Sequence, residues 1–148
     1  MSAIILLEGS DKRKAIRQVV TRSGNLVRGV PDAGRLLRAV ARRERIETTG
    51  IGHGVAIAHG KILGLEAVHV GLGVSEGGID YQAVDGKPVH LLFVIASSPR
   101  LQDSYLQTLG RLLGIVRNPS YRTVLDDFRN VDFPAFRGKL EKDFAWLT

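Results

Sequence analysis

The sequence predicts an α/β fold of three layers, in which helices cover both faces of one central mixed β-sheet. Short apolar runs typical of buried strands occur at residues 3–7 and 89–96. Stretches with the 3.6-residue periodicity of amphipathic helices lie on either side of a glycine-rich region that begins at Thr48. Helices packed on both faces are the ordinary way to bury such strands, so we expect a single domain over residues 1–148.

The first third of the chain predicts one strand and two helices. Residues 3–7 are the strand, and Ser10 is the expected N-cap of the first helix. Gly24-Asn25 is its expected C-cap, because these residue types tolerate the left-handed conformation. Pro31-Asp32 is expected to open the second helix. The apolar stripes of the two helices are Ala15, Ile16, Val19 and Val20 in the first and Leu36, Leu37 and Val40 in the second.

The middle of the chain predicts three further strands. Val55–Ala58 is expected to be a short strand that ends at His59. Residues 67–74 alternate larger apolar side chains with small or polar ones, which is the pattern of a half-buried strand. Asp85-Gly86 predicts a turn before the apolar run Val89–Ala96, which is expected at the centre of the sheet.

Three helices are predicted after the last strand. Asn118-Pro119 and the segment from Asp132 to Pro134 are typical starts for the second and third of them. The inward positions are Tyr105, Leu109, Leu112 and Val116 in the first helix, Tyr121, Val124, Leu125 and Phe128 in the second, and Phe136, Leu140 and Phe144 in the third.

Composition excludes several classes of function. The chain has no cysteine, which excludes a thiolate zinc site, a cysteine nucleophile and an iron–sulfur cluster. No apolar run approaches the roughly 18 residues of a membrane span, and the first residues lack the basic start of a secretory signal. We therefore expect a cytoplasmic protein without membrane insertion.

The positive charge is concentrated in one segment. The net charge is +6, whereas residues 11–45 contain eleven basic and three acidic residues, a local charge of +8. A basic segment raises the question of a polyanionic partner. This one has no interleaved aromatic residues and no nucleic-acid-binding motif, so we expect no nucleic-acid partner.

The histidines are the candidate reactive residues. The spacing of His53, His59, His69 and His90 matches no metal motif, and we expect no metal and no cofactor. His69 and His90 lie inside strand patterns, as structural histidines do, and His53 lies in a glycine loop. His59 differs because it follows an apolar strand and precedes a glycine. A neutral imidazole there can attack a phosphoryl group, although the residues alone also permit a structural role.

A longer motif surrounds His59. It consists of Arg-Glu at 43–44, Thr-Thr-Gly-Ile-Gly at 48–52 and Gly-Val-Ala-Ile-Ala-His-Gly at 54–60. This motif resembles the signature of enzyme IIA of the bacterial phosphotransferase system, of the fructose/mannitol and nitrogen-regulatory type. The turn at Asp85 and the strand after it also resemble that family, so the resemblance extends over the whole chain.

The resemblance implies a phosphotransferase component that works through a phosphohistidine. His59 would accept a phosphoryl group from the carrier protein HPr, then pass it to a IIB domain or hold it as a regulatory signal. Arg43 would be the active-site arginine, whose guanidinium can neutralise phosphoryl oxygens in a bidentate manner. Without the resemblance, Arg43 is typical of a solvated charge at a helix end.

Two positions depart from the family pattern. Ala58 stands where the family has a proline, and Tyr105 stands where it has a second active-site histidine. A phenol can donate a hydrogen bond to a phosphoryl oxygen but carries no proton charge near pH 7. Tyr105 is therefore either a site residue or an ordinary core residue of its helix. Its presence leaves a second hypothesis open, a regulatory paralogue that binds partner proteins with weak or vestigial phosphorylation.

Overall fold

The computed structural model describes residues 3–147. Five β-strands in this part of the chain form one mixed sheet. The strands are β1 (Ile4–Leu6), β2 (Gly50–Gly52), β3 (Val55–Lys61), β4 (His69–Ile79) and β5 (Val89–Ser97). Their order in the sheet is β1-β4-β5-β3-β2. β1 pairs with β4, and β3 with β5, in parallel, whereas the β4–β5 and β2–β3 pairs are antiparallel. The predicted mixed sheet is confirmed.

Helices cover both faces of this sheet. They are α1 (Lys12–Arg22), α2 (Gly24–Gly29), α3 (Ala33–Ile46), α4 (Gln102–Val116), α5 (Pro119–Asp126) and α6 (Phe133–Asp143). The first three share one hydrophobic cluster with the sheet, and the last three share a second cluster with it. The predicted three-layer α/β/α arrangement is therefore confirmed.

Successive side chains of β3 belong alternately to the two hydrophobic clusters. Ala56 and Ala58 are fully buried in the cluster that includes α1 and α3. Val55 and Ile57 belong to the cluster that includes α4 to α6. Successive side chains of a strand point to opposite faces, so His59 continues the second series and lies toward α4.

The boundaries of the first helix differ from the prediction. Its N-cap is Asp11 rather than Ser10, because an Asp11 carboxylate oxygen accepts the backbone N–H of Lys14 at 2.9 Å. Gly24-Asn25 does not cap this helix but begins α2, after a break at Ser23. The buried Asn25 amide donates to the carbonyls of Val70 and Leu147. These tertiary bonds override the local tendency of glycine and asparagine to end a helix.

Two strands also run further than predicted. β3 does not end at His59 but continues to Lys61, which pairs with Ser97 of β5. β4 begins at His69 and runs to Ile79 rather than spanning 67–74. The extension passes through an irregular register, with Gly78 at φ +91°, a conformation that glycine adopts without strain.

The remaining elements follow the prediction closely. β5 covers the predicted central strand and extends it by one residue, and α4, α5 and α6 begin near the predicted starts. Phe128 and Phe144 are buried as expected, but each lies just beyond its helix, Phe128 in a short 3₁₀ turn and Phe144 at the C-cap of α6.

Helix α3 approaches β3 closely at Gly60. A Cβ atom at Gly60 would lie 2.9 Å from Leu36 Cδ1 and 3.1 Å from both Ala39 Cβ and Val40 Cγ2. A side chain at this position would push α3 away from the strand that carries His59. The absence of a side chain therefore sets the spacing between β3 and the helix that carries Arg43.

We expect Gly60→Ala to lower the free energy of unfolding by about 1–3 kcal/mol, because the added methyl group overpacks this contact. The matched control is Gly110→Ala in α4, where the Cβ position has no neighbour within 4 Å. This control should raise the free energy of unfolding by about 0.4–1 kcal/mol, because alanine restricts the unfolded chain. Urea unfolding measures both, and equal stabilities for the two variants would contradict the close approach.

Candidate functional site

His59 lies half-buried near the end of β3, on the face that α4 covers. Its Nε2 lies 3.0 Å from the hydroxyl oxygen of Ser97, which is fully buried on β5. The parallel pairing of β3 with β5 brings these two residues together, since Lys61 lies opposite Ser97 in the register. The hydrogen bond fixes the orientation of the imidazole at the edge of the core.

Tyr105 on α4 contacts the other side of the imidazole. The two rings are stacked, with centroids 4.2 Å apart and an interplanar angle of 18°. Burial raises the pKa of the Tyr105 phenol, and Arg43 opposes this rise. Tyr105 is thus a neutral hydrogen-bond donor near pH 7, in direct contact with His59. A role for Tyr105 in the site remains a prediction.

Arg43 lies in the last turn of α3, half-buried. Its Nη1 donates to the backbone carbonyl of Glu47 at 2.8 Å, which ties the guanidinium to the end of the helix. Its charge acts on both His59 and Tyr105, since it lowers the pKa of each. The three residues predicted for the site, on α3, β3 and α4, therefore share one electrostatic environment.

The imidazole of His59 is held in its neutral form. Burial and the positive charges of Lys61 and Arg43 together lower its pKa from 6.5 to about 4, and burial has the largest effect. A neutral imidazole keeps a lone pair available on one ring nitrogen. The two cations that disfavour its protonation would favour an anionic group attached to it.

The sequence analysis did not identify Ser97 or Lys61 as site residues. Both follow from the pairing of β3 with β5, which local patterns do not specify. Ser97 directly follows the continuously apolar strand at residues 89–96, and this was the available signal. If that strand pairs in parallel with the strand that carries His59, the ends of the two strands lie side by side.

The other three histidines contact different parts of the molecule. His53 has a positive φ of 55°, and its Nδ1 lies 3.0 Å from Asp126 Oδ1. His90 Nδ1 donates to the Ser75 carbonyl at 2.8 Å, and its ring stacks on Phe128. His69 is half-buried beside Gly29. Between residues 3 and 147, no three His, Asp or Glu side chains are grouped so that they could hold a metal ion.

No helix in the described part of the chain has both the length and the apolar character needed to cross a bilayer.

The model of the family described as "Phosphoenolpyruvate-dependent sugar phosphotransferase system, EIIA 2" matches residues 2–133. The fructose-specific EIIABC component of the phosphotransferase system of Bacillus subtilis is 31% identical over 129 residues. That alignment covers 85% of this chain and 20% of the relative, so the chain spans about a fifth of that protein.

Solved structures share the fold. The nitrogen regulatory protein IIA-Ntr from Neisseria meningitidis aligns with a TM-score of 0.72 and 25% identity, over 83% of this chain and 84% of that one. The enzyme IIA-mannitol of Escherichia coli, in its complex with phosphorylated enzyme IIB-mannitol, aligns with a TM-score of 0.63 and 18% identity. That alignment covers 84% of this chain and 86% of the other, and it shows likeness of fold.

We expect the His59 ring to titrate with a midpoint near pH 4, measured from its ring-proton NMR shifts. Lys61→Gln should raise this pKa, and Arg43→Gln should raise it by less, because the effect of Lys61 is the larger. A histidine of the unfolded chain has a pKa near 6.5. The unfolded chain therefore binds more protons between about pH 6.5 and 4, and His59 lowers the free energy of unfolding as the pH falls through that window.

A midpoint at or above pH 6.5 in the unmodified protein would contradict the buried, cation-flanked site.

Proposed function

We propose a function from one premise, that this chain belongs to the EIIA 2 family of the phosphoenolpyruvate-dependent sugar phosphotransferase system. It is therefore a phosphotransferase component, a IIA phosphocarrier or regulator. In our proposal His59 accepts a phosphoryl group from HPr. It then passes the group to a IIB domain or retains it as a regulatory signal.

The observation that carries the proposal is the neutral imidazole of His59, whose protonation is disfavoured by burial and by the charges of Lys61 and Arg43. Its pKa of about 4 means that a lone pair is available throughout the physiological pH range. Nucleophilic attack by histidine requires that lone pair, because a protonated imidazole has none. Burial lowers the pKa of His69 and His90 as well, but of these three histidines only His59 has nearby cations that lower its pKa, and this supports His59 as the nucleophile.

The proposed transfer needs no co-reactant. The His59 lone pair forms a new N–P bond as the N–P bond of the phosphohistidine in HPr breaks, and the electron pair returns to the imidazole of HPr. Such transfers depend on positioning and on stabilisation of charge on the phosphoryl oxygens. Arg43 and Lys61 are the proposed stabilising cations, because both already act on the His59 ring.

Ser97 and Tyr105 are proposed to position the nucleophile. The hydrogen bond between Nε2 and the Ser97 hydroxyl fixes the rotation of the imidazole about its Cβ–Cγ bond, and the stacked Tyr105 ring covers one face of the imidazole. Tyr105 can also donate its hydroxyl proton to a phosphoryl oxygen, as the sequence analysis anticipates.

Exposed apolar side chains close in sequence to the site residues support docking of a partner protein. Ile46, Leu63 and Leu106 are 80%, 71% and 52% exposed. Each lies within four residues of Arg43, His59 or Tyr105 along the chain. The solved complex of the Escherichia coli mannitol IIA enzyme with phosphorylated IIB supports a IIB domain as one such partner. HPr is the proposed phosphoryl donor.

The whole chain is proposed to form the IIA domain. The family match ends at residue 133, where α6 begins, and α6 buries Phe136 and Leu140 in the same cluster as α4 and α5. This shared core supports one domain over residues 1–148.

A regulatory function is the second candidate, and the contact between Tyr105 and His59 favours it. A stacked phenol cannot take a positive charge as a second imidazole can, so it gives less help to the developing charge of the phosphoryl group. Slow transfer suits a protein that uses its phosphorylation state to choose partners. The likeness to the nitrogen regulatory protein from Neisseria meningitidis supports this alternative.

Incubation with phosphoenolpyruvate, enzyme I and HPr should add one acid-labile phosphate per chain, measured by intact-protein mass spectrometry. His59→Ala should abolish the labelling, because it removes the nucleophile. His53→Asn is the control, since asparagine tolerates the positive φ of this exposed position and the His53 ring contacts Asp126 of α5. Labelling that survives in His59→Ala, or is absent from the unmodified protein with its cognate HPr, would overturn the proposal.

A further inference from the structure

A cleft of about 730 Å³ lies between α1 and α3, in the layer on the opposite face of the sheet from α4. Its walls include neither His59 nor Ser97 nor Tyr105. Its volume is within the range of small-molecule sites in proteins, about 300–1,000 Å³. The cleft is formed by the basic segment, residues 11–45, of which the proposed phosphotransfer site uses only Arg43.

The rim of the cleft is positively charged. Four cationic side chains line it and are exposed, namely Arg13, Lys14, Arg17 and Arg45. Within residues 3–147, none of these four forms an ion pair with a carboxylate. Asp11 also lines the cleft, but its carboxylate is engaged in capping α1. Several unpaired cations around one cavity favour a multiply charged anion, because guanidinium groups match phosphate oxygens in a bidentate manner.

The floor of the cleft is apolar. Ile16 and Val40 are buried there, and Leu37 is half-buried. A ligand that only carried charge would leave this surface exposed to water. The combination of an apolar floor and a cationic rim therefore favours an anion attached to an organic body.

One wall holds a buried carboxylate with unused hydrogen-bonding capacity. Glu44 pairs with Lys12 at 2.8 Å through Oε1, and its side chain is 8% exposed. Oε1 also accepts the backbone N–H of Thr49 at 3.3 Å. Its other oxygen, Oε2, is buried and has no hydrogen-bond partner. A buried acceptor without a donor is costly, and a ligand hydroxyl group would satisfy it once side-chain movement at this wall exposed Oε2 to the cleft.

We propose that the cleft between α1 and α3 binds a small phosphate ester that bears hydroxyl groups. The rim cations hold the phosphate, the apolar floor contacts the body of the ligand, and Glu44 accepts a hydroxyl. Nucleotides and sugar phosphates both have this chemistry. The site is separate from His59, and its occupation requires no phosphotransfer.

The test is a titration followed by ¹H–¹⁵N NMR, with AMP and glucose 6-phosphate as the two probes. Adenosine and sulfate are the controls, since adenosine lacks the phosphate and sulfate lacks the organic body. We expect saturable shifts of amides in α1 and α3 with at least one ester, and no saturation with either control over the same concentrations. The ester that saturates at the lower concentration identifies the source of the phosphate, nucleotide or sugar.

Two variants locate the binding. Arg13→Glu combined with Arg17→Glu should weaken binding by at least about tenfold, because it replaces two charge-assisted contacts by repulsion. Ala41→Glu places a carboxylate at an exposed position of the cleft wall and should also weaken binding. Arg42→Glu is the matched control, an exposed arginine of α3 that does not line the cleft, and it should change affinity by less than about threefold.

Three results would overturn the proposal. They are the absence of saturable shifts with both esters, equal affinity for sulfate, and equal affinity in the Arg13→Glu and Arg17→Glu double variant. The same spectra report whether each variant is folded. Because the readout is binding, its failure is distinct from a failure of His59 to become phosphorylated.

Discussion

The site depends on the position of β3 between two helix layers. On one face α3 approaches the strand at Gly60, where a single added methyl group would meet Leu36 at 2.9 Å. On the other face α4 places the Tyr105 ring against His59. The sheet itself supplies Ser97 through the parallel pairing with β5. The site thus combines side chains from four elements, α3, β3, β5 and α4.

Burial and positive charge act in the same direction on His59. Either would disfavour the imidazolium form, and together they bring the pKa to about 4. The arrangement destabilises one cation, the protonated ring, while it favours a bound dianion at the same place. The same arrangement also makes the folded state sensitive to acid, because protonation of His59 is easier in the unfolded chain. An environment suited to phosphoryl transfer therefore has a cost in stability below about pH 6.5.

Local patterns were sufficient for most of the fold and for the central residue of the proposed site. The periodicity of the apolar residues predicted the helices and strands of the three layers. The motif around His59 predicted that its imidazole is the reactive group. Asn25 shows where such reasoning fails, because hydrogen bonds to Val70 and Leu147 keep it inside a helix. Ser97 was missed for the same reason, since the pairing of β3 with β5 is a long-range property.

The measurement that tests the account most directly is the rate of phosphoryl uptake from phosphorylated HPr by the unmodified chain and by Tyr105→His, followed by rapid quench. If His59 is a phosphocarrier nucleophile, the unmodified chain takes up phosphate. Tyr105→His should then take it up at least several-fold faster, because an imidazole at this position can be protonated and stabilise the negative charge on the phosphoryl oxygens. No uptake by either protein, or a slow uptake that Tyr105→His leaves unchanged, would contradict the carrier function.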